Sequence, residues 1–386
     1  MRDAVIVEAV RTPIGKRNGA LSGVHPVDLS AAVLRELQAR TGIDPGEVED
    51  VIWGCVSQVG EQAMNIARYA TLAAGWPESV PGTTVDRQCG SSQQAATFAA
   101  AGVIAGHYDI VVAGGVESMS RVPMFATTET HGNPNSPLIV ERYEQRLVPQ
   151  GVGAEMIATQ WGLDRARLDG IAVRSHDRAA RAIDEGRFKG QIVPITTNAD
   201  GMRRVVDTDD GVRRGTSLET LAGLKTPFRD GGVISAGNAS QISDGASALL
   251  IMGSDTAAAH GLQPIARFHA STVVGADPVT MLTGPIPATR KVLDRAGLGV
   301  ADIGAFEVNE AFASVIGAWE DEIGVDTDLL NPNGGAIALG HPLGCSGARI
   351  MTTLVHHMRD RGIRYGLQAI CEGGGMANAT VLELVI

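Results

Sequence analysis

The chain has 386 residues, of which 44% are hydrophobic and 48 are glycines, so it can form two or three domains or one large α/β assembly. Its formal net charge of −11 argues against general binding to nucleic acid or to an anionic membrane surface. Four cysteines without Cys-x-x-Cys spacing indicate free thiols in a reducing compartment rather than a disulfide scaffold or a metal site.

The N-terminus begins at once with a strand-like apolar segment and lacks the basic and long apolar regions of a signal peptide. No apolar run reaches the length needed to span a bilayer. We therefore expect a cytoplasmic protein without a membrane span.

The first third of the chain, residues 1–118, alternates short apolar strands with helical segments, which predicts a layered α/β fold. The predicted elements are, in chain order, a strand at 3–9, a helix at 27–41, a strand at 51–55, a helix at 63–74, a strand at 83–85, a helix at 91–105 and a strand at 109–114.

The middle segment, residues 119–239, is rich in Arg, Asp, Gly, Thr and Pro and has few strand-like runs. One charged amphipathic stretch at 163–187 predicts a helix. A long insertion in an α/β chain usually lies over a binding site. The apolar strand at 246–252 is expected to return to the first half.

The last third repeats the order of elements found in the first. It predicts a helix at 289–296, a strand at 303–308, a helix at 348–358 and a strand at 366–371. The segment Gly344-Cys345-Ser346-Gly347 opens a helix as Cys89-Gly90-Ser91 does. We therefore expect two similar halves that arose by duplication.

Cys89 lies in a tight turn between a strand and a helix of small residues. A helix N-terminus offers free N–H groups and a positive dipole end, which favour a thiolate and hence a nucleophile. The alternative is an inert buried cysteine, the commoner role of a free thiol. We interpret Cys55 and Cys345 in that second way.

His341 stands directly between Gly340 and Pro342. Proline fixes its own φ and restricts the residue before it to extended geometry, so this loop can aim an imidazole as a base. A structural loop histidine is the alternative interpretation. Asn309 follows an apolar strand, and its amide can hold a water molecule or a carbonyl group.

Cys371 ends a strand and is followed by Glu372 and three glycines. Backbone N–H groups in such a loop can stabilise an oxyanion, although a phosphate loop or a flexible turn is also compatible. Because neighbouring residues on a strand face opposite ways, we assign Glu372 no catalytic role.

These segments give the chain a resemblance to the thiolase family of acyl-CoA acetyltransferases over essentially its whole length. It is carried by the Cys89 turn, Gly237-Asn238-Ala239-Ser240, Asn309-Glu310-Ala311-Phe312, Gly340-His341-Pro342 and Cys371-x-Gly-Gly-Gly. The resemblance implies an α/β fold of two similar βαβαβαββ halves in five layers, α/β/α/β/α, with a loop domain over the coenzyme A site. The halves would be residues 1–118 plus 240–265 and residues 266–386, and the loop domain 119–239.

The resemblance also implies roles for the reactive residues. Cys89 would carry the acyl group, and His341 would activate it and form one oxyanion hole with a water held by Asn309. Cys371 would move the proton of the acetyl-CoA carbon. The N–H groups of Cys89 and Gly373 would form a second oxyanion hole.

Coenzyme A would be a co-substrate, with no permanently bound cofactor and no metal. Arg213 and Thr220 match positions near its adenine end, and Phe228, Ser240 and Phe312 match positions along its pantetheine arm. The expected partners are acyl-CoA and CoA, and the family resemblance implies a homodimer or homotetramer.

Departures from the family pattern favour the degradative members. Many members have an apolar residue at Glu372 and a glycine at Ser92, and residues 148–151 read Val-Pro-Gln-Gly where short-chain biosynthetic members carry His-Met. The pattern resembles 3-ketoacyl-CoA thiolases that handle long or bulky acyl groups, in fatty-acid or steroid side-chain β-oxidation.

Three alternatives stay open. The first is a biosynthetic acetoacetyl-CoA thiolase that condenses two acetyl-CoA molecules. The second is a non-catalytic acyl-CoA or lipid-binding relative, which would be expected to lack a reactive residue. The third is a carrier-protein-dependent ketosynthase, which would be expected to use one cysteine with two histidines.

Overall fold

The computed structural model describes residues 2–128, 133–144, 146–199 and 202–385. The strands over these residues are β1 (Val5–Arg11), β2 (Gly15–Lys16), β3 (Asp50–Gly54), β4 (Thr83–Val85), β5 (Ile110–Ser118), β6 (Ile195–Ala199), β7 (Met202–Val206), β8 (Ser243–Met252), β9 (Ala266–Gly275), β10 (Ala305–Val308), β11 (Tyr365–Glu372) and β12 (Met376–Leu384).

The helices over the same residues are α1 (Pro26–Thr41), α2 (Ile66–Ala73), α3 (Ser91–Ile104), α4 (Pro137–Tyr143), α5 (Gln150–Gln160), α6 (Arg165–Asp184), α7 (Leu218–Ala222), α8 (Ser254–Ala259), α9 (Pro285–Ala296), α10 (Ala313–Ile323), α11 (Ala336–Leu339) and α12 (Leu343–Arg361). Not one of these described helices combines the length and the apolar character that crossing a membrane requires.

The large sheet is built from two equivalent sets of strands. Its order is β10-β11-β12-β9-β1-β8-β5-β3-β4, with β2 paired to β8. In the first half β1, β8 and β5 are antiparallel neighbours and β3 runs parallel to β5; in the second, β9, β12, β11 and β10 repeat that pattern. The halves join where β1 pairs with β9. The two similar halves expected from the sequence are confirmed.

Helices α3 and α12 form the central layer between the two halves. They pack on each other, α3 on β3 and β5, and α12 on strands of both halves. Alanines at 95, 99 and 348 are fully buried there. A Cβ at Gly347 would lie 2.2 Å from Gln93 N, so the two helix backbones are in close contact. Helices α1 and α2 cover the outer face of the first half and α9 that of the second, which gives the five expected layers.

The insertion leaves and re-enters the sheet at one place, because β5 and β8 are antiparallel neighbours. It carries α4 to α7. The predicted helix at 163–187 is α6, and the strand expected to return to the first half is β8, as predicted. The hairpin β6–β7 was not expected, because its β7 strand, Met-Arg-Arg-Val-Val, is mostly exposed and does not alternate apolar with polar residues.

Three helices, α2, α9 and α12, start three or more residues away from the sequence prediction, and α9 begins at Pro285 rather than at 289. The helix predicted at 63–74 begins only at Ile66, because Met64 and Asn65 have left-handed φ values of 60° and 59°. The helix predicted at 348–358 begins earlier, at Leu343, directly after Pro342 at its N-cap. These boundaries depend on local backbone geometry that residue periodicity does not specify.

Candidate active site

A strained turn presents Cys89 at the start of α3. Gln88, a non-glycine residue, has a left-handed φ of 50°. The hydroxyl of Ser91 donates a hydrogen bond to the Gln88 carbonyl and accepts one from the Arg87 N–H at 2.9 Å. These two hydrogen bonds stabilise the turn. The thiol of Cys89 is thereby held on rigid backbone, as a nucleophile requires.

Two backbone N–H groups, those of Cys89 and Gly373, hydrogen-bond the Cys89 sulfur and lower its pKa. Burial has the larger effect and, together with the nearby Glu372 carboxyl, raises the pKa of Cys89 to about 12. The thiolate expected from the helix N-terminus is therefore not the resting form. Cys89 needs a base when it attacks.

Cys371 lies at the buried end of β11, within electrostatic range of Cys89. Burial raises the pKa of Cys371 well above its ordinary value, and the neighbouring Cys89 raises it further. The turn that follows needs glycine, because Gly374 and Gly375 have φ values of 84° and 80°. This turn aims the Gly373 N–H at the Cys89 sulfur.

Hydrogen bonds fix the tautomer of the buried His341 ring. Its Nδ1 lies 2.6 Å from Ser346 Oγ, and that hydroxyl donates its own proton to the Pro342 carbonyl at 2.8 Å. The Ser346 oxygen must therefore accept a proton from Nδ1. The Nε2 atom is left unprotonated and can act as a base.

Burial and the charge of Arg349 lower the pKa of His341 to about 3. The ring is thus neutral at physiological pH, the state that can take a proton from Cys89. Asn309 Nδ2 lies 3.4 Å from His341 Nε2. The buried Asn309 Oδ1 makes no hydrogen bond to a described residue, so it can accept one from water or substrate.

A cavity of about 560 Å³ opens onto Cys89 and His341, whereas Cys371, Gly373 and Asn309 are not among its lining residues. Cys89 and His341 line it together with four of the predicted binding residues, Arg213, Phe228, Ser240 and Phe312. The rings of Phe228 and Phe312 meet edge to face with centroids 6.1 Å apart. Of the described residues that line this cavity, Lys16, Arg17 and Arg213 are cationic and none is acidic.

Thr220 is not among the residues that line the cavity. Its exposed side chain forms a capping box with Ser217 at the start of α7. The structure therefore gives Thr220 a helix-capping role in the insertion.

The sequence did not identify two residues beside the reactive groups. Ser346 orients His341, and a serine one turn into a helix gives no distinctive signal. Glu372 was noticed but set aside; its carboxyl lies against Gly90, where a Cβ would be 2.0 Å from Glu372 Oε1. Both Glu372 oxygens are buried without a hydrogen-bond partner among the described residues, and burial raises its pKa to about 8 despite Arg87.

The arrangement has the parts for covalent transfer of an acyl group. It combines a nucleophilic thiol and an imidazole with a free Nε2, which both line an electropositive cavity, with a second buried thiol and paired N–H donors close to Cys89. Such a set can form a covalent thioester and move a proton separately.

The sequence and the fold are similar to those of several known proteins. Residues 4–255 match the family model "Thiolase, N-terminal domain", and residues 262–384 match "Thiolase, C-terminal domain". The chain is 49% identical to the steroid 3-ketoacyl-CoA thiolase FadA6 of Mycobacterium tuberculosis, over 99% of this chain and 94% of that protein. It is 45% identical to the β-ketoadipyl-CoA thiolase of Escherichia coli, over the full length of both. The acetyl-CoA acetyltransferase of Bacillus anthracis superposes with a TM-score of 0.92 at 40% identity, covering 100% of this chain and 99% of that one.

Proposed function

This chain belongs to the thiolase family, and we propose that it cleaves a 3-ketoacyl-CoA with coenzyme A into acetyl-CoA and a shortened acyl-CoA. The protein is an acyltransferase of the 3-ketoacyl-CoA thiolase type. The observation that carries the proposal is the pair of buried thiols, Cys89 and Cys371, beside the N–H groups of Cys89 and Gly373. These components can supply the nucleophile, the proton carrier and the oxyanion donors of a retro-Claisen cleavage.

In the first step, Nε2 of His341 takes the proton of Cys89 as the sulfur attacks the ketone carbon of the substrate. The N–H groups of Cys89 and Gly373, which lie beside the Cys89 sulfur, stabilise the oxyanion that forms in this proposed step, and each such donor is typically worth about 10²–10³ in rate. Because the resting thiol has a high pKa, deprotonation and attack occur together.

In the second step, the carbon–carbon bond breaks and its electron pair passes to the departing acetyl-CoA as an enolate. His341, with a water held by Asn309, supports the enolate oxygen. Cys371 gives its proton to the enolate carbon. Acetyl-CoA leaves, and the shortened acyl group stays on Cys89 as a thioester.

In the third step, the Cys371 thiolate takes the proton of incoming coenzyme A, whose sulfur attacks the Cys89 thioester. The Cys89 sulfur leaves and recovers its proton from His341. The shortened acyl-CoA is released, and both cysteines have regained their protons. All atoms and electrons are accounted for by the substrates and the side chains named here, so the proposed reaction needs no metal or redox cofactor.

Relatives support a degradative role. The names of the steroid 3-ketoacyl-CoA thiolase and the β-ketoadipyl-CoA thiolase describe cleavage of acyl groups larger than acetoacetyl. We propose β-oxidation of a fatty-acyl or steroid-derived side chain. Apolar residues that line the cavity support an extended acyl group: Met119, Met124, Leu282 and Leu343.

A second candidate is the short-chain reaction, synthesis or cleavage of acetoacetyl-CoA. The structural relative from Bacillus anthracis carries the name of an acetyl-CoA acetyltransferase, which favours it. Assay of thiolysis with acetoacetyl-CoA, a long-chain 3-ketoacyl-CoA and a steroid-derived 3-ketoacyl-CoA, compared by kcat/KM, separates the two. Preference for a larger substrate supports the degradative role, and preference for acetoacetyl-CoA refutes it.

We also propose the division of the chain into halves at 1–118 plus 240–265 and 266–386, with the insertion 119–239 covering the coenzyme A site. The family models, which meet between residues 255 and 262, support the boundary between the halves. A homodimer or homotetramer in the cytoplasm completes the proposal and rests on the family resemblance.

A further inference from the structure

The lining of the catalytic cavity includes a positive patch that no role described so far explains. It consists of Lys16 and Arg17, in the segment that follows β1, and both line the cavity that contains Cys89. The whole chain has a net charge of −11, yet no acidic residue among the described ones lines this cavity. The local charge is therefore opposite to that of the protein, which favours an anionic ligand.

The fold holds this patch at a fixed place relative to the catalytic histidine. Strand β2 pairs Lys16 with Ser243, and the Arg17 N–H donates to the Ile242 carbonyl at 3.0 Å. The N–H of His341 in turn binds the Gln241 carbonyl at 3.1 Å and Ser243 Oγ at 3.2 Å. One short backbone segment thus supports both the base and the positive patch.

The two cations contribute little to folding. Lys16 Nζ lies 3.3 Å from Asp210 Oδ1, but the lysine side chain is 57% exposed, and such surface pairs are worth little. Arg17 is exposed and forms no ion pair with a described residue. Both side chains are available to a ligand that enters from solvent.

The surroundings indicate which ligand group they meet. Cys89 is only 5% exposed and the apolar lining suits an uncharged acyl chain, whereas the side chains of Lys16 and Arg17 are exposed to solvent. A second cavity of about 390 Å³ shares Lys16 and is lined by Arg204, Thr197 and Asn198, and also by Asp210, the partner of Lys16. The charged end of a long thioester therefore has room beside Lys16, where the two cations, Lys16 and Arg204, outnumber the one carboxylate.

We propose that Lys16 and Arg17 form an anion subsite for the phosphate groups of coenzyme A, separate from Arg213. The inference rests on the proposed thiolase function. Guanidinium and ammonium groups bind phosphate through charge-assisted hydrogen bonds, and an open site makes that attraction salt-dependent. The subsite binds the coenzyme A portion, which every substrate carries. The rest of the cavity is then free to select among acyl chains.

The test compares two thiol acceptors that differ in their phosphates. Thiolysis is measured with coenzyme A and with pantetheine, which lacks every phosphate, for wild type, Lys16→Gln and Arg17→Gln. We expect kcat/KM for coenzyme A to fall about 5- to 30-fold in each variant, the range for a partly screened charge-assisted bond. The value for pantetheine should stay unchanged, and Arg17→Lys should recover most of the loss.

Lys291→Gln is the matched control, because it removes one exposed charge from α9, on the outer layer of the second half. It should leave both acceptors unaffected. Equal losses with coenzyme A and pantetheine, or no loss at all, would overturn the subsite while wild-type thiolysis still supported the proposed function.

A third arm separates phosphate from a carboxylate on the acyl chain. A 3-ketoacyl-CoA that ends in a carboxylate is compared with its uncharged counterpart of equal length. Equal losses on both substrates support the phosphate subsite. A loss confined to the carboxylated substrate would assign the two cations to the acyl group and overturn the proposal.

Discussion

Replacing Ser346 by alanine tests whether the active site depends on the tautomer of His341. Ser346 is fully buried on α12, and its Oγ lies 2.6 Å from His341 Nδ1. The hydroxyl oxygen accepts the Nδ1 proton and thereby leaves Nε2 free as the base. Ser346 is a positioning residue, since it acts on the reaction only through the imidazole.

The size of the effect follows from the loss of that single acceptor. A buried donor left without a partner costs about 1–3 kcal/mol. The ring can avoid this cost by carrying its proton on Nε2 instead, but that tautomer cannot take the proton of Cys89. Since 1.4 kcal/mol corresponds to a factor of about ten, we expect acylation of Cys89 to slow by about 5- to 150-fold. Because the change of tautomer avoids part of this cost, the free energy of unfolding should fall by no more than about 1–3 kcal/mol.

The assay is single-turnover acylation by a saturated acyl-CoA, with chemical denaturation run in parallel. Thr352→Val is the control, because Thr352 is equally buried on α12 and its Oγ1 lies 3.2 Å from Ser247 Oγ, away from His341. It should lose stability but acylate at the wild-type rate. If Ser346→Ala acylates as fast as Thr352→Val, the tautomer argument is refuted.

Three further changes have definite expected outcomes. Glu372→Gln removes a carboxyl that raises the pKa of Cys89. Iodoacetamide should therefore alkylate Cys89 faster than in wild type above pH 8, as followed by mass spectrometry. An unchanged alkylation rate would contradict the electrostatic effect of Glu372 on Cys89. Burial raises the pKa of Glu307 to about 8, so the folded protein binds the carboxyl proton more tightly than the unfolded chain does. The free energy of unfolding therefore has its full value below about pH 4.5 and falls as pH rises from about 4.5 through 8. Glu307→Gln should flatten that part of the stability curve in denaturation experiments, and a curve parallel to wild type would refute it. Gly344→Ala places a Cβ 2.5 Å from the Val116 carbonyl oxygen. The free energy of unfolding should therefore fall by roughly 1–3 kcal/mol or more, and the Tm should fall with it. An unchanged Tm would contradict the close packing of Gly344 against Val116.

The sequence could predict the repeated halves because their pattern is local. Short apolar strands and small-residue helices recur in the same order, and the sheet order confirms that reading. It could not predict that Met64 and Asn65 adopt left-handed backbone, since nothing in their side chains requires it. The hairpin β6–β7 was missed because its exposed strand lacks an apolar face.

The reactive residues could be named from their motifs, but their mutual geometry depends on tertiary packing. The alternation rule led us to set Glu372 aside, yet it cannot show that the Glu372 carboxyl lies against Gly90, next to Cys89. The expected thiolate failed for a similar reason. A helix N-terminus is visible in a sequence, whereas the burial that outweighs it is not.

The division of labour between the two cysteines is tested most directly by the intact mass of the protein after incubation with a saturated acyl-CoA. Wild type and Cys371→Ala should each gain one acyl group, and Cys89→Ala should gain none. Cys371→Ala should nevertheless fail to cleave a 3-ketoacyl-CoA. An acyl adduct on Cys89→Ala, or its absence from Cys371→Ala, would contradict the assignment of Cys89 as the acyl carrier and Cys371 as the proton carrier.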